Sequence, residues 1–142
     1  PSDRRALGRG SGVIVLDTHA WLWWVAAPDR LSPAAREAID RADEIGIPAI
    51  CAWEVAMLVE RGRVRLDRPA ARWVRAALDD DPRPTEVPLT ATIAVRAAAL
   101  GAEGLHGDPA DRFIHATARS VNAPLVTRDA ALRSHDPQHT VW

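Results

Sequence analysis

The chain has 142 residues, 47% of them hydrophobic and 26% charged, and a formal net charge of −1. That length suits one domain with its own core, and so small a net charge excludes a global electrostatic pull on nucleic acid. The lone cysteine, Cys51, excludes an internal disulfide framework and a cysteine-based zinc site; all 18 basic residues are arginine, which excludes P-loop, Schiff-base and Ser–Lys chemistry.

Residues Pro1–Gly12 are small, polar and glycine-rich and read as a disordered leader or cloning remnant, leaving 13–142 as the folded domain. VIVLD (Val13–Asp17) is apolar and β-branched, the pattern of a strand buried on both faces. THAWLWWVAA follows as a helix stopped by Pro28; its apolar run Ala20–Ala27 is eight residues, against about 20 for a membrane span. SPAAREAIDRAD is a helix with Ser32 as cap and Pro33 in first position. EIGIPAI is a second strand, and AWEVAMLVERGR a helix with Val55, Leu58 and Val59 at helical spacing and Gly62 at its end. PAARWVRAALDDD is a helix opened by Pro69, TEVPL a short extended piece, and TATIAVRAAALG a helix from a Thr90 cap to a Gly101 terminator. DPADRFIHATARSV takes Asp108 as cap and Pro109 as first residue; PLVT, Asp129–Ser134 and HTVW follow as strand, short helix and strand. Strands alternating with helices make an α/β fold with a mainly parallel sheet, and such sheets bind ligands beyond the carboxyl ends of their strands. Neither a secretory signal nor a membrane span is legible, so a cytoplasmic protein without membrane partners is expected.

Acids gather at that carboxyl edge. Asp17 ends the first strand, Glu54 stands in the first turn of the helix after the second, Asp108 and Asp111 open the helix before PLVT, and Asp129 follows that strand by two residues. Taken singly, each reads as a carboxylate that caps N–H groups at a helix start. Converging from four separate elements, they would repel one another unless a cation neutralised them. Hard ions such as Mg²⁺ and Mn²⁺ take oxygen ligands, and pairs of them serve in-line phosphodiester cleavage. A phosphatase with Asp17 as nucleophile would want an acid where His19 stands, and a lysine.

VIVLDTHAWLWW, AWEVAMLVERGR, DPADRFIHATA and LVTRD, in this order and spacing, resemble the four motifs of PIN-domain ribonucleases, particularly the VapC-type toxins of toxin–antitoxin pairs. The resemblance runs from Val13 to Trp142. It implies a PIN-like three-layer α/β/α fold and an Mg²⁺- or Mn²⁺-dependent endoribonuclease that cuts single-stranded or loop RNA with metal-activated water. It implies Asp17, Glu54, Asp111 and Asp129 as catalytic acids and metal ligands, with Asp108 as an additional ligand. A homodimer and a VapB-like antitoxin partner are implied as well. An RNA-processing nuclease without an antitoxin and a non-catalytic binding module are the competing readings, the complete acidic set weighing against the second.

Other features are less specific. Thr18 and Thr127 flank two acids and are expected either to orient carboxylates or to bond the local backbone. RGRVRLDRPAARWVR is the one basic stretch; Arg61, Arg63 and Arg65 are candidates for RNA phosphates, a solvated helix end being the alternative. Trp21, Trp23 and Trp24 exceed what one helix face buries, which leaves at least one for a partner surface if core packing does not absorb all three. His106 is a candidate RNA contact or a plain loop residue, Cys51 a small core residue, and Asp79–Asp81 a solvated helix end.

Overall fold

The computed structural model describes residues 12–105 and 107–142. Five strands form one all-parallel sheet: β1 (Val13–Leu16), β2 (Glu44–Pro48), β3 (Pro84–Val87), β4 (Leu125–Val126) and β5 (Thr140–Val141). Their order is β3-β2-β1-β4-β5, so β1 is central and the chain winds outward from it in both directions. Val15 sets the register, opposite Gly46 on one side and Leu125 on the other.

Parallel neighbours need crossovers, and seven α-helices supply or flank them: α1 (Thr18–Ala26), α2 (Pro33–Arg41), α3 (Ala49–Glu60), α4 (Ala70–Asp79), α5 (Ala91–Ala102), α6 (Pro109–Ser120) and α7 (Ala130–His135). They sandwich the sheet in the expected three-layer α/β/α arrangement. A sheet covered on both faces needs strands without a polar face, and every residue of β1 is buried, as are Ile45, Ile47, Leu125 and Val126.

Helix starts follow the sequence reading closely. Ser32 Oγ accepts the Ala35 N–H at 3.0 Å and Thr90 Oγ1 that of Ile93 at 3.2 Å. The ends differ. Helix α3 closes as expected on Gly62, whose φ of +71° lets Arg63 N–H reach Leu58 O at 2.9 Å. Helix α5 runs past Gly101, and the same device closes it at Gly104 (φ +101°), with Leu105 N–H on Leu100 O at 3.0 Å. Strand β1 also ends one residue early: Asp17 still donates its N–H to Val126 O at 3.1 Å, but it serves as the N-cap of α1.

The expectation of a surplus tryptophan on α1 is corrected. Trp21 is fully buried against Trp73, and Trp23 is buried against Trp142 from the end of the chain. Trp24 is half-buried, with the Arg83 guanidinium over its ring. The sheet edge and the chain's last residue thus cover a face that α1 could not bury alone. The exposed tryptophan is Trp53, on α3.

Beside β5, Asp136 ties α7 and the last strand to α6. His115 Nε2–H donates to one of its oxygens at 3.0 Å and His139 Nδ1–H to the other at 2.8 Å. Burial lowers the His115 pKa, against the opposing hydrogen bond to Asp136. Burial pushes the Asp136 carboxyl up, but the two histidine hydrogen bonds outweigh it and hold the group below the usual carboxylate range. Cys51 is in the core as expected. Of the acidic run, Asp79 and Asp80 are exposed, whereas Asp81 is partly covered and takes the Arg83 guanidinium at 3.2 Å. Gly12 already belongs to the fold, its carbonyl accepting the Asp43 N–H at 2.8 Å; the rest of the expected leader and His106 lie outside the described residues. Among the described residues no helix is long and apolar enough to cross a membrane.

Candidate active site

The carboxyl ends of β1 and β4 open into a cleft of about 520 Å³ lined by Asp17, Glu54, Asp108, Asp111 and Asp129. All five acids singled out in the sequence therefore meet in one place, and the fold accounts for each. Asp17 follows the central strand and is 8% exposed; its Oδ1 accepts the Ala20 N–H at 2.8 Å. Asp108 caps α6, accepting the Ala110 N–H at 3.0 Å, and Asp129 caps α7, accepting the Leu132 N–H at 2.9 Å. The capping reading and the site reading hold together: one oxygen of each of these three carboxylates caps a helix within the acidic cluster.

Glu54 and Asp111 are different, because neither caps a helix. Glu54 was expected in a first turn but lies in the second turn of α3, since that helix begins at Ala49 directly from β2. The Ala49–Ile50 pair, read as strand, is helical because Pro48 ends the ladder and serves as the N-cap residue. The extra turn carries Glu54 to the Thr18 hydroxyl, which donates to its Oε1. Asp111 accepts no hydrogen bond among the described residues and faces the other four acids.

Electrostatics follow from that crowding. Burial raises the Asp17 pKa, with the Thr127 hydroxyl and the Ala20 N–H in partial opposition. Burial also raises Glu54, against the Thr18 hydrogen bond. Asp111 is pushed up to about 7, first by burial and then by repulsion from Asp129, Asp108, Glu54 and Asp17. Thr18 donates to Glu54, and Thr127 donates to Asp17 while its Oγ1 accepts the Asp129 N–H at 3.0 Å, so Thr127 bonds both a carboxylate and the local backbone.

The profile of the PIN domain family matches residues 14–136 of the chain. The chain is also 41% identical over 131 residues to Ribonuclease VapC22 of Mycobacterium tuberculosis, spanning 91% of this chain and 98% of that one. It belongs to the PIN-domain family. Solved structures with the same fold include a toxin–antitoxin complex from Klebsiella pneumoniae (TM-score 0.63, 19% identity, 91% of this chain and 96% of that one). VapBC2 from Rickettsia felis, bound to a promoter DNA fragment, is another (TM-score 0.62, 16% identity, 90% and 96%).

Four further side chains of this PIN domain line the acidic cleft without having been singled out for it: His19, Trp23, Ile114 and Arg128. Arg128 had a signal, its place beside Asp129; Trp23 had none beyond its helix. The candidate RNA-binding residues Arg61, Arg63 and Arg65 do not line the cleft. They are exposed at and beyond the end of α3, and Arg65 instead borders a separate groove with Arg68 and Trp73.

As a donor set the cleft offers only carboxylate oxygens in number, which is the preference of a hard divalent cation. Among the described residues no three of these acids are drawn together tightly enough to form a closed cage.

Proposed function

We propose that this PIN domain is an Mg²⁺- or Mn²⁺-dependent endoribonuclease that cuts single-stranded or loop RNA and is restrained by a VapB-like antitoxin, acting as a homodimer in the cytoplasm. The observation that carries the reading is Asp111, a carboxyl with a pKa near 7 facing four other acids and no hydrogen-bond donor among the described residues. A structural acid would be given a partner; this one is left for something positive from outside.

Asp17, Glu54, Asp111 and Asp129 are the residues that would hold the ion, with Asp108 completing the rim. When bound, such an ion supplies an activated water and charge neutralisation at the phosphodiester. The chain's own groups do the positioning. The Ala20, Ala110 and Leu132 N–H groups fix one oxygen of Asp17, Asp108 and Asp129 respectively, and the Thr127 hydroxyl adds a second hold on Asp17. Thr18 fixes Glu54 in the same way. Burial and the four neighbouring acids raise the Asp111 pKa to about 7, and positive charge held beside it would lower that value.

The antitoxin reading draws on the relatives, since the solved neighbours are toxin–antitoxin complexes and the 41% identical relative is a VapC. Purified protein should cleave single-stranded RNA only with Mg²⁺ or Mn²⁺, run as a dimer in light scattering, and arrest growth when expressed without an antitoxin. Metal-independent cleavage, or no cleavage under any divalent ion, removes the proposal. A monomer whose expression leaves growth untouched removes the toxin part alone.

A further inference from the structure

The cleft presents an electrostatic difficulty that its acids do not solve. RNA is a polyanion, the chain is not basic overall, and the lining carries five carboxylates. Binding must draw on local cations, and among the described lining residues the one arginine is Arg128. Its guanidinium lies over the Trp23 ring, 5.8 Å from the centroid. A second guanidinium, that of Arg30 from the turn after α1, lies over the same ring at 5.1 Å. The His19 ring, also in the lining, packs on Trp23 at 5.5 Å. Trp23 itself is buried, and its other neighbour is Trp142.

Trp23 is therefore a platform and not a surface. It holds two exposed arginines that converge from separate parts of the chain, one seven residues further along and one beside the fourth acid. Neither guanidinium has a carboxylate partner among the described residues, whereas Arg68, Arg83 and Arg96 each have one. A guanidinium that faces an indole and not a carboxylate keeps N–H donors for another acceptor, and its planar fork can take a phosphate with two parallel hydrogen bonds.

We propose that Arg128 and Arg30, gathered over Trp23, form a phosphate-binding subsite that grips the RNA backbone next to the bond being cut. This rests on the ribonuclease reading and relocates the RNA contact from Arg61, Arg63 and Arg65 to residues at the cleft itself. An acidic protein segment could satisfy two arginines as well. RNA is favoured because Arg128 shares one cleft with the acids that would act on a phosphodiester.

The test is a salt titration of binding. Labelled single-stranded RNA is titrated with the protein in Ca²⁺ across a range of NaCl concentrations, and cleavage is measured separately in Mg²⁺. Arg128→Gln and Arg30→Gln should each weaken binding about tenfold and flatten the log K against log salt slope by about 0.7. KM should rise while kcat stays within a few-fold, with melting curves unchanged. Arg128→Lys should recover only part of the loss, because it keeps the charge without the planar fork. Wild-type slope and affinity in both glutamine variants, with the parent cleaving RNA, overturns this subsite and leaves the nuclease reading standing. Equal losses in an Arg61→Gln, Arg63→Gln, Arg65→Gln triple variant with none at Arg128 and Arg30 overturns it too. Competition by polyglutamate as effective as by unlabelled RNA assigns the pair to a protein partner instead. A parent that neither binds nor cleaves RNA removes both readings together.

Discussion

Helix α6 and the segments around it hold two kinds of carboxylate, and the contrast between them is instructive. At its start, Asp111 faces four acids and no donor, and its pKa rises to about 7. Beside its middle, Asp136 receives hydrogen bonds from His115 and His139, and its pKa falls. Burial raises both, and Asp111 is the more deeply withdrawn from water. What turns the direction for Asp136 is that the chain supplies its own counterpart. A carboxylate with internal donors belongs to the architecture, whereas one denied them stores unfavourable charge that an external cation relieves.

The contrast breaks first in activity. Asp111→Asn or Asp17→Asn should lower Mg²⁺-dependent RNA cleavage by more than about 100-fold, beyond the range typical of residues that only support a metal ligand, with circular dichroism unchanged. Asp136→Asn should leave the rate per folded molecule within a few-fold, and a loss as deep as that of Asp111→Asn would erase the distinction. Next comes the response to metal. A hundredfold excess of Mg²⁺ or Mn²⁺ over its Kd should stabilise the protein by about 2.7 kcal/mol, roughly 8 °C in Tm, and Asp17→Asn should remove most of that rise.

In metal-free buffer at pH 8 the two carboxylates should respond with opposite signs. Asp136→Asn should cost about 1–2 kcal/mol, whereas Asp111→Asn should raise Tm slightly by removing repulsion. Differential scanning fluorimetry of both variants decides it, and two shifts of the same sign refute the contrast. The smallest effect is in pH. The His115 pKa lies below its unfolded value of about 6.5, so the unfolded chain takes up that proton first and stability falls as pH drops below about 6.5. Asp136, held below 3.8, adds stability that is present above that value and is lost as pH falls through its folded pKa. His115→Asn should flatten the upper part of the Tm profile.

Much of this site was legible because capping and catalysis place acids in the same sequence positions. Asp17, Asp108 and Asp129 each precede a helix, and a parallel sheet then puts two of those starts on one edge. Glu54 was harder: Ala49–Ile50 reads as strand by composition, and only Pro48 at the end of the ladder gives Glu54 its extra turn. The Asp136 pairing was invisible because His115 is 21 residues away and nothing local marks the two as partners. Trp23 failed for the same reason on a larger scale. Its burial depends on Trp142, so a count of apolar residues on α1 alone left a tryptophan over.

The sheet is also uneven in a way that bears on its motions. Strands β1 to β3 have four or five residues each, whereas β4 and β5 have two, and both arginine-bearing and acid-bearing residues after β4 hang from that thin side. A two-residue ladder contributes few amides whose exchange requires opening of the whole domain. Amides of β4, β5 and α7 should therefore exchange with deuterium well before those of β1 and β2. Asp129 and Arg128 would then swing with a segment of low local stability, while Asp17 stays fixed at the end of the fully buried strand β1.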